Sequence, residues 1–206
     1  MKIFRLLLAL LLLSMTTLHA ADLDTSPPDE VVKKTVDDVL SALTADKELT
    51  KDAKKTENLV NTKILPRFDF ERMARVIVGE NQWGLATAQE QSDLVNEYRV
   101  FLTHIFTKSL AQYSDEKVTF LPLDTANENE AVVKCKVLDP VDGPSIVDIK
   151  VTKNTNGWQV YDIDWGGVSL SRTYKSNFKS ILQQGGVANL ASALRKKNQD
   201  NKLAGN

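Results

Sequence analysis

One of the two histidines, His104, could take part in acid–base chemistry. His104 lies between apolar positions of a helical pattern, and His19 is the only other histidine in the sequence. No cysteine or second histidine accompanies His104 to complete a metal cluster. A catalytic dyad would need a serine or cysteine brought to it by the fold. The pattern favours a partly exposed helix residue, and a hydrolase that uses His104 stays as the enzyme alternative.

A pair of neighbouring carboxylates is the second candidate for acid–base work. Asp162 and Asp164 stand two apart in a predicted strand, so their side chains point to the same side of a sheet. Tyr161, Ile163 and Trp165 alternate with them. We therefore expect the two carboxylates to form the solvated polar face of that strand.

The remaining residue types offer little further chemistry. Cys135 is the only cysteine, so no intramolecular disulfide can form. It shares a predicted strand face with Val133 and Val137, which predicts a buried thiol acting as a small hydrophobe. The Gly166-Gly167 pair lacks the glycine spacing of a phosphate-binding loop and predicts a tight turn. No nucleotide loop, zinc motif or nucleophile elbow is present.

The N-terminus has the layout of a secretory signal peptide. Lys2 and Arg5 give a positively charged start, residues 6–13 are leucine and alanine, and small residues lead to Ala20 and Ala21. The apolar stretch is shorter than the ~20 residues that span a bilayer. We predict a signal peptide at residues 1–20, with cleavage after 20 or 21, and a single domain at residues 21–206.

The charge of the exported part argues against nucleic acid. Removing Lys2 and Arg5 from the 26 basic residues leaves 24 against 27 acidic ones, a net charge of −3. Proteins that bind nucleic acid carry a basic stripe that neutralises phosphates. The same balance argues against simple electrostatic docking on anionic membranes.

The hydrophobic pattern predicts helices in the first half of the chain and strands in the second. The first predicted helix begins at the start signals Ser26–Asp29, and the second covers residues 51–64. The third covers residues 70–78, is capped by Asp69 and ends at Gly79. The fourth and longest begins at the capping box Thr87–Glu90. Predicted strands cover residues 118–123, 131–138, 145–152 and 158–163. Helical spacing returns from Leu170 to Leu194 with a break at Gly185-Gly186, and we expect the polar tail at residues 195–206 to fray.

Short connectors between the strands force antiparallel neighbours. The sequence therefore predicts an α+β fold, an antiparallel sheet of about four strands with helices packed on one face. Trp83 and Trp158 are predicted to be packing anchors.

Two stretches resemble a known family. The first runs from Ile64 to Gly79 (ILPRFDFERMARVIVG) and continues through Trp83 and residues 86–91; the second joins residues 157–163 to residues 167–170, with Tyr174 and Phe178 after them. In order and spacing they resemble the MlaC family of periplasmic phospholipid-binding proteins, also known as toluene-tolerance auxiliary components.

This resemblance implies a periplasmic phospholipid carrier of a Gram-negative bacterium. It implies a sheet and helices that enclose the acyl chains in an apolar pocket, and exchange of phospholipid with an outer-membrane lipoprotein complex and an inner-membrane ABC transporter. Such carriers maintain the lipid asymmetry of the outer membrane, and the resemblance implies neither a cofactor nor catalysis. We expect a monomer, because a carrier that encloses its cargo requires no second subunit. We further expect the loop from Gly79 to Gly84 to act as a hinge.

The residues predicted to line the pocket come from the helices and from the sheet. The predicted acyl-chain contacts are Phe70, Met73, Val76, Phe101, Ile105, Phe106, Tyr174, Phe178 and Ile181 from helices, and Val147, Ile149, Val151, Val160 and Ile163 from the sheet. Periodicity alone does not separate a filled core from one with a slot in its middle. Two alternatives stay open: a carrier of another apolar ligand, such as a fatty acid, solvent or quinone, and a periplasmic scaffold protein with a fully packed core.

Overall fold

The computed structural model describes residues 26–204 and has an α+β fold. The predicted signal peptide at residues 1–20 lies outside the described residues. The α-helices are α1 (Pro28–Ala45), α2 (Ala53–Leu59), α3 (Phe70–Val78), α4 (Glu80–Leu85), α5 (Ala88–Leu110) and α6 (Leu170–Ala204). A 3-10 turn at Leu49–Lys51 precedes α2, and a π-helical turn at Val60–Ile64 and a 3-10 turn at Leu65–Arg67 extend it. No helix among residues 26–204 combines the length and apolarity needed to cross a membrane.

Local capping signals set the helix ends, as the sequence predicts. The Asp69 side chain accepts a hydrogen bond from the Arg72 amide at 2.9 Å and begins α3. Thr87 and Glu90 form both halves of a capping box at the start of α5. Gly79 ends α3 with φ of 82°, a conformation that favours glycine. The segment after Gly79 was expected to be a loop; that expectation is wrong, because residues 80–85 form the short helix α4.

The sheet contains the four predicted strands and two additional short ones. Its strands are β1 (Lys117–Phe120), β2 (Asp124–Asn127), β3 (Glu130–Asp139), β4 (Gly143–Asn154), β5 (Gly157–Trp165) and β6 (Val168–Ser169). All pairings are antiparallel, in the order β1-β3-β4-β5-β6, and β2 also pairs with β3. Since β1 and β2 pair with different halves of β3, the sheet is five strands wide.

One face of the sheet is apolar. Ala131, Val133, Cys135 and Val137 alternate along β3 and are buried. Their cross-strand partners on β4 are Val151, Ile149, Val147 and Ser145. Cross-strand partners point to the same face, so these side chains form one wall. Ala131, Val133 and Val151 pack in the main core with the helices. Cys135, Val137 and Val147 form a separate cluster with apolar residues of β1, β4 and β5.

The helix α3 is fastened to the sheet by polar contacts of Arg72. Its Nη1 donates to Thr152 Oγ1 at 2.7 Å, and its guanidinium lies 3.9 Å from the ring centroid of Tyr161. A second bond, to the Glu130 carboxylate, reaches β3. The backbone just before α3 also joins the sheet, because the Asp69 amide donates to the Val160 carbonyl at 2.9 Å.

The last helix is longer than the sequence indicated. The predicted break is confirmed, since Gly185 and Gly186 have non-helical dihedrals inside α6. The prediction that the tail from residue 195 is frayed is wrong, because the helix continues to Ala204. Contacts with α5 hold this part: Arg195 Nε donates to Glu97 Oε1 at 2.8 Å, and Asn198 Nδ2 donates to the Glu97 carbonyl at 3.0 Å.

Candidate functional site

An aromatic cluster packs between the helices α5 and α6, within the helical layer of the fold. The ring centroids of Phe101 and Tyr174 are 5.1 Å apart at an interplanar angle of 85°. Phe178 stacks on Tyr174 at 5.5 Å, and the ring of Tyr98 meets Tyr174 edge-on at 6.2 Å. These rings are three or four residues apart on each helix, so they share one face of it. The cluster gives the core a broad apolar surface of rigid side chains.

A second aromatic group lies where α3 begins. Phe68 stacks on Phe70 with a centroid distance of 6.0 Å and contacts Phe106 of α5 at 5.3 Å. Phe68 also forms a bridge with Val160 of β5. The second group therefore connects the helices to the sheet wall.

The sheet residues predicted to contact acyl chains face this helical layer. Ile149 pairs with Ile163, and Val151 pairs with Val160. The irregularity of register between Lys150 and Val151 adds one residue to β5 there, which bends the strand. Val160 and Ile163 thereby point to the same side although they are three residues apart.

The structure brings nearly all the predicted contact residues into the core. Phe70, Met73, Phe101, Val147, Val151, Val160 and Phe178 are buried, and Ile105, Phe106, Ile149, Ile163, Tyr174 and Ile181 are partly buried against the core. Val76 differs, since it is 38% exposed on α3. Their role in holding a ligand stays a prediction.

Two surface clefts lie apart from these residues. One, of about 440 Å³, lies between α3–α4 and the first half of α6, and the other, of about 650 Å³, lies on α1. None of the predicted contact residues lines either cleft. The buried side chains between the sheet and the helices are packed against one another, so a ligand between them requires the helices to shift.

Tyr98 is a core residue that sequence reasoning did not select for the pocket. It is fully buried, and its hydroxyl has no hydrogen-bond partner among the described residues. Burial raises the pKa of Tyr98, with smaller contributions from the nearby Tyr174 and Asp162. Its spacing of three residues from Phe101 is the signal that could have selected it.

The Asp162 carboxylate is buried, which corrects the expectation of a solvated pair. It is 5% exposed and accepts hydrogen bonds from Lys150 Nζ at 2.9 Å, Ser169 Oγ at 2.8 Å and the Ser171 amide at 3.0 Å. The strand pattern did place it opposite Ile163, but the start of α6 covers that face. Asp164 is partly buried and pairs with Arg172 at 2.8 Å.

The other candidates for chemistry, His104 and Cys135, lie on α5 and β3. His104 is half-buried on α5, as expected, and burial, with the charge of Lys108, lowers its pKa. Cys135 is buried, as predicted, and burial together with the charge of Asp148 raises the pKa of the thiol to about 11. A thiol with a raised pKa is a poor nucleophile. Within residues 26–204 no cluster of His, Cys, Asp and Glu could hold a metal ion.

Comparisons with known proteins agree with this architecture. The sequence model of the MlaC protein family matches residues 33–196. Among solved structures, the chain is similar to the phospholipid-binding protein from Ralstonia solanacearum, which was determined in complex with a phospholipid. That structure is 32% identical with a TM-score of 0.76, and the match covers 86% of this chain and 99% of that one. The fold predicted from the sequence is confirmed, and the chain belongs to the MlaC family.

Proposed function

We propose that this protein carries phospholipids through the periplasm of a Gram-negative bacterium, between the inner and outer membranes. The observation that carries the proposal is the 32% identity, over 86% of the chain, to a protein whose structure holds a phospholipid. The family match over residues 33–196 supports the same class of binding and transport protein. Such transfer maintains the lipid asymmetry of the outer membrane.

The physical need for a carrier follows from the cost of hydrating acyl chains. Two chains of ~16 carbons carry roughly 30 methylene and methyl groups, and exposing them to water costs on the order of 25 kcal/mol at ~0.8 kcal/mol each. Lipids therefore do not cross an aqueous compartment unaided at a useful rate. A protein that buries most of this surface removes the barrier.

The arrangement of the core suits this burial. The sheet residues Val151, Ile149 and Val160 pack in the same core cluster as the rings of the helical layer, and these contacts are apolar and non-directional. Acyl chains inserted between the two layers would exchange one apolar surface for another. Because apolar contacts with the acyl chains do not distinguish one polar headgroup from another, we expect weak headgroup selectivity.

The shuttle requires partners at both membranes. We propose an outer-membrane lipoprotein complex and an inner-membrane ABC transporter as donor and acceptor, with the transporter supplying energy from ATP. Export would depend on the signal peptide at residues 1–20. The carrier would act as a monomer, because one chain supplies both the sheet and the helices that would enclose the lipid.

Native mass spectrometry of the exported protein, purified without detergent, tests the proposal. A bound two-chain phospholipid at near-stoichiometric amount, identified in the organic extract, is the expected result. A fatty acid, solvent or quinone in the extract would instead favour another apolar cargo. A lipid-free mass, with no uptake from liposomes, would favour the scaffold alternative and overturn the proposal.

A further inference from the structure

The cleft between α3–α4 and the first half of α6 combines an apolar floor with a cationic rim. Its floor is formed by Ile77, Val78 and Leu182, which are buried and belong to the main core. The polar lining residues are Gln82, Arg172, Lys175, Ser176, Lys179 and Gln183. At about 440 Å³, the cleft is within the size range of small-molecule sites.

The three cations form one stripe along α6. Arg172, Lys175 and Lys179 are separated by three and four residues, and Leu182 continues the same stripe onto the floor. Arg172 pairs with Asp164 at 2.8 Å and also donates to the Gly167 carbonyl at 3.2 Å. This pairing fixes its guanidinium at the end of the cleft.

The two lysines, by contrast, have no ion-pair partner in the part of the chain that the structure describes. Like charges at a spacing of four destabilise a helix, so the fold gains nothing from placing Lys175 beside Lys179. The rim of the cleft therefore carries two positive charges that no carboxylate of the described residues pairs with, and an anionic ligand would complement them.

We infer that this cleft binds the phosphodiester of a phospholipid headgroup, with the adjoining part of an acyl chain on its apolar floor. Lys175 and Lys179 would supply charge-assisted hydrogen bonds to the phosphate oxygens. The Ser176 hydroxyl and the Gln82 and Gln183 amides add neutral donors. The inference rests on the proposed function and names the place where the headgroup stays while the chains enter the core.

The floor argues for a lipid rather than free phosphate. Leu182 lies four residues after Phe178 on α6, and both belong to the main core cluster, so an acyl chain that lies on the floor is one helical turn from a predicted pocket residue. Inorganic phosphate would gain nothing from this apolar surface. The break of α6 at Gly185-Gly186 follows directly after the cleft and provides a joint about which the first half of the helix can move.

Uptake of acyl-chain-labelled phosphatidylcholine from phosphatidylcholine vesicles tests the inference, because such vesicles carry no net charge. We expect the double variant Lys175→Gln, Lys179→Gln to bind the lipid about tenfold more weakly than wild type. The matched control is Lys196→Gln, Lys197→Gln, which removes the same charge from exposed positions of the same helix and should bind like wild type.

Separate outcomes identify which statement fails. Equal uptake by wild type and both double variants would overturn the headgroup site while leaving the proposed carrier function intact. Failure of the wild type itself to take up phospholipid would count against the carrier function. Titration of inorganic phosphate provides the second arm of the test. We expect that millimolar phosphate does not compete with the lipid. If instead phosphate binds tightly, only the cleft variant loses this binding, and lipid uptake is unchanged, the cleft is a free-phosphate site.

Discussion

The Asp162 carboxylate accepts a hydrogen bond from the Ser171 backbone amide at 3.0 Å and so joins β5 to the first turn of α6. Ser169 and Lys150 complete the shell of donors around the same carboxylate. A buried carboxylate is stable only when its oxygens are satisfied in this way. One charged side chain therefore ties the first turn of α6 to β5.

Asp162→Asn should destabilise the protein by about 2 to 4 kcal/mol. The amide keeps the shape but brings an NH₂ group against donors, and it leaves Lys150 without its counter-charge. The free energy of unfolding in urea at pH 7 measures this. Asp164→Asn is the control, because its partner Arg172 is 71% exposed and such a pair contributes about 1 kcal/mol or less. Equal losses in both variants would contradict the role given to Asp162.

Asp162 should also make stability depend on pH in the acid range. Burial alone would raise its pKa, but the bonds from the Ser171 amide, Lys150 and Ser169 outweigh it and hold the pKa below the usual 3.8. A carboxyl group whose pKa is lowered by folding contributes stability above its unfolded pKa, and that contribution is lost as the pH falls through the folded pKa. Between pH 5 and pH 2 (roughly the interval over which a salt-bridged carboxylate loses its contribution), wild type should lose more unfolding free energy than Asp162→Asn. Parallel pH profiles of the two proteins would exclude this linkage.

Tyr98→Phe should leave stability unchanged or increase it by about 1 kcal/mol. The Tyr98 hydroxyl is buried and has no hydrogen-bond partner among residues 26–204, and removing an unsatisfied polar group relieves its desolvation cost. Thermal and urea unfolding would measure the change, with the partly exposed Tyr113→Phe as control. A loss above 1 kcal/mol specific to Tyr98→Phe would mean that the hydroxyl has a hydrogen-bond partner, such as an ordered water.

The helices and strands could be predicted because their signals are local. The side chains of Asp69 and Thr87 cap α3 and α5 within three residues of themselves, and the alternation on β3 follows from neighbours two residues apart. The helical tail could not be predicted in this way, because Arg195 is held by Glu97, 98 residues earlier. Sequence periodicity contains no record of such contacts.

The site could be predicted only in outline for the same reason. Periodicity places Met73 and Phe101 on inward faces, but it does not say whether their neighbours are other side chains or a ligand. The burial of Asp162 was missed because Ser169 of β6 and Ser171 at the start of α6 cover a strand face that alternation alone assigns to solvent.

Met73 and Val76 offer a direct comparison between two predicted acyl-chain contacts on α3. Met73 is fully buried and Val76 is 38% exposed. Met73→Ala should cost about 2 to 5 kcal/mol of stability, whereas Val76→Ala should stay within about 0.5 kcal/mol and retain as much phospholipid as wild type. Urea unfolding and lipid analysis of the purified proteins check both. Loss of lipid from a stable Val76→Ala protein would show that the ligand reaches this outer position.

The break in α6 depends on the backbone of Gly186. Its φ of 63° and ψ of −153° fall in a region that is open almost only to glycine, and other residues held there cost about 1 to 3 kcal/mol. Gly186→Ala should therefore lower the free energy of unfolding by this amount. Gly84→Ala is the control, since a Cβ there meets nothing within 4 Å and alanine is the better helix former. If Gly186→Ala were as stable as wild type, α6 could continue through the break, and the first half of the helix would have no joint about which to open the core.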